Sequence, residues 1–205
     1  MVRQRFEAEG TGHDWWHIAR VRDMAVRIAH EENADVVVVE LAALLHDIAD
    51  YKFHNGDDSI GPQMAREWLT SKGVSTAVVD HVAEIVASVS FKGAGVPDQA
   101  ATLEAKIVQD ADRLDALGAV GIARAFAYGG SNHRPLYNPA QPPQRHADFE
   151  SYKSNQSPTI NHFYEKLLLL KERLHTGTAR RMAEDRHAFM EAFLRQFYAE
   201  WKGEK

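Results

Sequence analysis

Residues 41–48 read Leu-Ala-Ala-Leu-Leu-His-Asp-Ile, an apolar run that ends on an adjacent imidazole and carboxylate. Val38, Leu41, Leu44, Leu45 and Ile48 trace one face of a helix, which sets His46 and Asp47 near its end. Such a pair is a poor choice for a core, because each side chain needs partners once it leaves water. His17 precedes the pair and Asp112 follows it. Together the four can form a mixed site for one divalent metal. Two imidazoles and two carboxylates suit Mn, Fe, Co, Ni or Zn better than Ca or Mg, which prefer all-oxygen shells.

The two outer residues also lie on helical patterns. Asp14 is placed to cap a helix carrying Ile18, Val21, Ala25, Ile28 and Ala29, with His17 in its first turn. Leu103, Ile107, Ala111, Leu114 and Gly118 form a third periodic stretch, on which Asp112 lies. Three helices are thus expected to converge on one ion. The run Val36 to Val39 has strand composition but leads into the helix that ends at the His-Asp pair, and it is read as that helix's first turn. Gly61-Pro62 opens a helix to about Lys72, and Ser75 precedes another with Val78, Val82, Ile85, Val86 and Val89 on one side. Tyr128-Gly-Gly130 reads as a helix end with a glycine C-cap.

Five of the seven prolines fall from Pro135 to Pro158, among Asn, Gln and Ser. The expected organisation is one all-α domain over 1–205, with a catalytic core at 1–130, a long loop at 131–157 and a C-terminal helical hairpin at 158–205 packed on the core. The first arm of the hairpin should run from Ser157-Pro158 to near Gly177, and the second should start at Thr178. Phe189, Phe193 and Phe197 on that second arm either pack internally or supply a homodimer face. No internal repeat is visible.

Composition bounds the function. A chain of 205 residues with 44% hydrophobic content can bury a sizeable core. Its net charge of −5 argues against a polymeric nucleic acid as partner, since neutralising phosphates takes an excess of Lys and Arg. The absence of cysteine rules out disulfides and thiolate zinc sites. With no apolar leader and no run long enough to span a bilayer, the expectation is a cytoplasmic protein without membrane contact.

The blocks HDWWHIARV (13–21), LAALLHDIADYKFH (41–54), SFKG (90–93) and QDADRLDALGAVGIARAFAYGG (109–130) resemble the HD-domain superfamily of metal-dependent phosphohydrolases. The order His, His-Asp, Asp is that superfamily's signature. Within it, the blocks look most like the small bacterial HD hydrolases, some of which are nucleoside triphosphate pyrophosphohydrolases. The resemblance implies an all-α HD-domain helical bundle, metal ligation by His17, His46, Asp47 and Asp112, and a small phosphorylated substrate. A nucleoside or deoxynucleoside triphosphate cleaved to monophosphate and pyrophosphate leads. A nucleotide monophosphatase or cyclic phosphodiesterase, or a nucleotide-sensing module without turnover, are the alternatives.

Phosphoanhydride hydrolysis adds further requirements. Four protein ligands leave room for substrate and water only if coordination expands to five or six, which favours Mn over closed tetrahedral Zn. Asp50 lies three residues beyond Asp47 and is the candidate general base or ligand-orienting carboxylate. In HD enzymes that cleave ppGpp, a Glu at this offset precedes an Asp. Here the positions hold Asp50 and Tyr51, which argues against ppGpp. Arg20, Arg113, Lys52 and Lys92 are the candidate cations for a polyphosphate. The bland reading makes the two arginines ion-pair partners of Asp23 or Asp115. His81 with Glu84 has a further ligand spacing, but the dinuclear HD branch carries a His-His pair where this chain reads Ser88-Val89-Ser90, so a single metal is expected. His54 lies close enough in sequence to line the pocket.

Overall fold

A computed structural model describes residues 2–6, 14–48, 59–89, 98–144 and 156–205. No strand occurs among them. The helices are α1 (Val2–Phe6), α2 (Trp15–Glu32), α3 (Val36–Leu45), α4 (Ile60–Ser71), α5 (Thr76–Ser88), α6 (Leu103–Asp115), α7 (Gly118–Ser131), α8 (Thr159–Glu165) and α9 (Gly177–Trp201). Two 3₁₀ turns, Leu167–Leu169 and Lys171–Arg173, lie between α8 and α9. The described residues fall into two compact units, one ending at Asp112 and the other beginning at Arg113.

In the first unit, α2 packs on α3, and α5 packs on both α3 and α4. Ile18, Val21, Ile28, Val39, Leu45, Leu69, Val82, Ile85 and Ile107 are buried there. Full burial of one such aliphatic side chain stabilises by about 1.5–3 kcal/mol, so this face chooses the packing where propensity is indifferent. The Val36–Val39 run is a case in point. Asp35 caps α3 by accepting from the amides of Val37 and Val38, at 3.0 and 3.2 Å, and the β-branched run becomes the helix's first turn. Arg22 of α2 reaches Glu40 of α3 with Nε donating at 2.9 Å.

The second unit holds an aromatic core. Phe163 of α8 is fully buried and stacks on Phe193 of α9 at 5.8 Å between ring centroids, while Phe126 of α7 meets Phe193 edge-on at 5.9 Å. The aromatic residues of α9 are therefore chiefly packing. Tyr137 inserts edge-on among Phe197, Tyr198 and Trp201. Burial and a hydrogen bond with Tyr164 push the Tyr198 hydroxyl well above the ordinary tyrosine range. Phe189 is exposed.

Three local expectations are corrected. The periodic stretch from Leu103 to Gly118 is divided: α6 stops at Asp115, and Gly118 opens α7 with φ +75°. A Cβ there would also lie 3.2 Å from the Cβ and Cγ of Arg186, whose Nη1 donates to the Leu114 carbonyl at 2.6 Å and closes the end of α6. Glycine satisfies both demands. Burial lowers the Arg186 pKa below the usual arginine range, with Asp115 acting against that shift.

The glycine C-cap of α7 falls elsewhere. The helix runs through Gly129 and Gly130 to Ser131, and the left-handed residue is His133 at φ 55°. Its amide donates to Gly130 and that of Arg134 to Gly129, at 3.1 and 2.9 Å, in a Schellman closure. Gly129 serves packing: a Cβ there would meet Thr159 Oγ1 at 2.1 Å.

The expected first arm of the hairpin is broken. Lys166, at φ −140° and ψ −61°, interrupts the helix, and Leu167 and Leu170 are buried three residues apart, the period of a 3₁₀ turn. The segment after α7 is an ordered connection as far as it is described. Asn161 Nδ2 donates to the Gln141 carbonyl at 2.9 Å, and the Gln144 amide donates to the Glu165 carboxylate at 3.1 Å.

Gly129→Ala should destabilise the protein by about 1–3 kcal/mol, as overpacking does, despite alanine's better helix propensity. Thr159→Ala removes the opposing atom, so the double variant should recover most of the loss in urea denaturation.

Candidate metal centre

Four side chains of the first unit meet at one point. Asp14 fixes the start of α2, its Oδ1 accepting from the His17 amide at 2.9 Å, so His17 stands in the first turn with its imidazole fully buried. His46 is the C-cap of α3, still in helical conformation, and Asp47 follows in the turn closed by Ile48 N donating to Leu45 O at 3.0 Å. Asp112 lies near the end of α6. Each comes from the element on which the sequence pattern places it.

The distances are short. His17 Nε2 lies 3.3 Å from His46 Nε2, with the rings 73° apart. Asp47 Oδ2 is 3.4 Å from His17 Nε2 and 3.5 Å from His46 Nε2. Asp112 Oδ1 is 3.6 Å from the first and 3.9 Å from the second. His17, His46 and Asp112 each offer a ligand atom within 4.8 Å of the others. The imidazoles are buried, whereas the carboxylate side chains are 16% exposed at Asp47 and 30% at Asp112, so the cluster reaches solvent through its acids.

One contact fixes the chemistry of the donors. His46 Nδ1 lies 2.8 Å from the Ala43 carbonyl, which can only accept, so in the neutral ring the proton sits on Nδ1. The Nε2 lone pair then faces His17, Asp47 and Asp112. Acceptors gathered this closely repel one another unless a cation stands among them, and two nitrogens with two carboxylate oxygens match a borderline divalent ion. The residues present fit such a metal. The Ala43 carbonyl carried no signal in the sequence, because any residue supplies that group.

The other candidates have varied surroundings. Arg20 is half-buried on α2, one turn beyond His17, and engages other groups. Arg113 is 3% exposed; its Nη1 donates to the Arg173 carbonyl and lies 3.3 Å from His175 Nε2. Asp23 meets Arg22 at 2.7 Å and Asp115 meets Arg124 at 2.9 Å. Asp50, Lys52, His54 and Lys92 lie outside the described residues. His81 approaches Thr102 Oγ1 at 3.0 Å and Glu104 at 3.8 Å, which makes it part of a helix-start network.

Gln109 was not singled out by the sequence. It lies one turn before Asp112, is 1% exposed, and its Nε2 donates to the carbonyls of Ser88 and Val89 at 3.3 and 3.2 Å. This ties the Asp112 region of α6 to the end of α5.

Known proteins share this fold. YpgQ of Bacillus subtilis is 40% identical over 191 residues, covering 92% of this chain and 84% of its own. Its crystal structure in complex with ADP matches with a TM-score of 0.76 at 39% identity, over 97% of this chain and 95% of that one. A Lactobacillus plantarum protein matches with a TM-score of 0.88 at 36% identity, over 98% and 93%. An HD-superfamily hydrolase of Bacillus thuringiensis matches with a TM-score of 0.74 at 42% identity, over 98% and 93%. The HD domain model covers residues 15–117, from the start of α2 to just beyond α6, and contains all four converging side chains. The chain belongs to the HD-domain family.

Proposed function

We propose that the protein is a metal-dependent phosphohydrolase acting on a nucleotide, with a nucleoside or deoxynucleoside triphosphate as substrate and monophosphate and pyrophosphate as products. The observation that carries this reading is the convergence of His17, His46, Asp47 and Asp112, with the carboxylate oxygens 3.4–3.9 Å from the two imidazole Nε2 atoms and those nitrogens 3.3 Å apart. The ADP complex of YpgQ supports a nucleotide as the ligand class. No described helix is long and apolar enough to cross a membrane.

His17, His46, Asp47 and Asp112 would hold one divalent ion, and Mn is our choice because its larger shell leaves positions beyond four protein ligands. When bound, such an ion polarises a phosphoryl oxygen and lowers the pKa of water. The chain's own contribution is orientation. Ala43 holds the His46 tautomer and the Asp14 cap holds the start of α2, so the donors are set before substrate arrives. Asp50 is assigned as the base that takes the proton of the attacking water. Arg20, Lys52 and Lys92 are assigned to the polyphosphate, where fixed cations stabilise charge on phosphoryl oxygens. The contacts of Arg113 with Arg173 and His175 support a positioning part for it.

A screen over nucleotides with added Mn, resolving pyrophosphate from orthophosphate, tests the reading. Pyrophosphate release is the expected result, and orthophosphate alone would move the assignment to a monophosphatase. The His46→Ala, Asp47→Ala double variant should lose bound metal and turnover together. Equal rates for it and the wild type would exclude the assigned centre.

Asp50→Asn should behave differently. It keeps the shape and removes the basic charge, so turnover should fall about 10²–10⁴-fold with metal content unchanged. Near-normal turnover at full metal content would remove Asp50 from the role of base.

A further inference from the structure

Next to the fully buried His17, Trp16 is 63% exposed. A single exposed aromatic is ordinary on a protein surface, so what matters is that this one lies in the same helix turn as a candidate metal ligand and offers an exposed apolar face with a polar edge. The comparison with Trp201 sharpens this. Trp201 is 50% exposed but stacks on Phe197 at 5.8 Å, whereas Trp16 has no ring partner among the described residues. Asp14 and Trp15, its neighbours in the chain, are both half-buried.

The helix arranges these residues in sequence around its surface. At about 100° per residue, Arg20 projects about 60° from His17 and about 40° from Trp16, on the same side. Arg20 is also one turn from each, as their i+3 and i+4 neighbour. One flank of α2 thus presents, in order, a candidate metal ligand, a guanidinium and an exposed indole. A nucleotide runs the same way, from phosphates that a metal and a guanidinium would meet to an aromatic base at the other end.

We infer that Trp16 is the base-stacking residue of the nucleotide site, so that the substrate is distinguished from a bare polyphosphate by its ring. This rests on the proposed nucleotide hydrolysis and names the part of the substrate that it leaves open. An indole stacks on any base, because every base has a π-face, so the contact selects nucleotides as a class and tolerates several bases.

The test uses Trp16→Ala and Trp16→Phe in the full chain with Mn. Trp16→Ala should raise the KM for ATP on the order of tenfold with kcat little changed, and Trp16→Phe should recover most of the loss. The inhibition constant of inorganic tripolyphosphate, which has no ring, should stay the same. ADP should quench tryptophan fluorescence in the wild type and markedly less in Trp16→Phe. An unchanged KM in Trp16→Ala, an equal loss for tripolyphosphate, or a fall in Mn affinity would each overturn the inference, the last because the effect would then run through His17. If Trp16→Ala does not fold, equal ADP quenching of wild type and Trp16→Phe overturns it as well. A wild type that turns over no nucleotide defeats the proposed activity, while the ADP quench still decides the role of Trp16.

Discussion

The gathering of two imidazoles and two carboxylates at His17, His46, Asp47 and Asp112 is the constraint on which the first unit depends. The carboxylate oxygens and the Nε2 atoms lie 3.3–3.9 Å apart, held there by the elements that carry them. Three of the four are positioned by separate devices. The Asp14 cap fixes the start of α2, the Ala43 carbonyl orients the His46 ring, and the Gln109 amide ties α6 to the end of α5. These bonds lie within the helices and their ends, so folding of those elements orients the side chains that they carry. Preorganisation of that kind is what an electrostatic centre requires.

Much of this was legible in the sequence, because the signals were local or periodic. Asp14 lies three residues before His17, and Asp35 two and three residues before the amides it caps, so a reader of the chain meets cap and helix together. The helix faces repeat at the α period and the fold class follows. The four converging residues were legible through their order along the chain, which matched a family pattern. What was not legible is long in sequence separation or carried by backbone atoms. The bonds of Gln109 to Ser88 and Val89 span 21 and 20 residues and end on carbonyls, which no residue type announces.

The structure departs from the sequence pattern where two periods or two uses of one residue compete. Leu167 and Leu170 fit an α pattern and a 3₁₀ pattern equally well over so short a stretch, and the dihedral angles at Lys166 decide between them. Gly129 and Gly130 look like a stop signal, but the need to admit Thr159 explains Gly129 without ending the helix. In the sequence, Gly118 reads as one more small residue on an apolar face. Its positive φ and its approach to Arg186 reveal a junction.

The bond from Arg186 to the Leu114 carbonyl has a consequence in time. Its two ends are 72 residues apart. On the ribosome, Leu114 is added well before Arg186, so over that interval the last turn of α6 lacks the guanidinium that closes it. A nascent chain halted before α9 would therefore hold the end of α6 without this bond, and the Leu114 carbonyl would have to find water in its place.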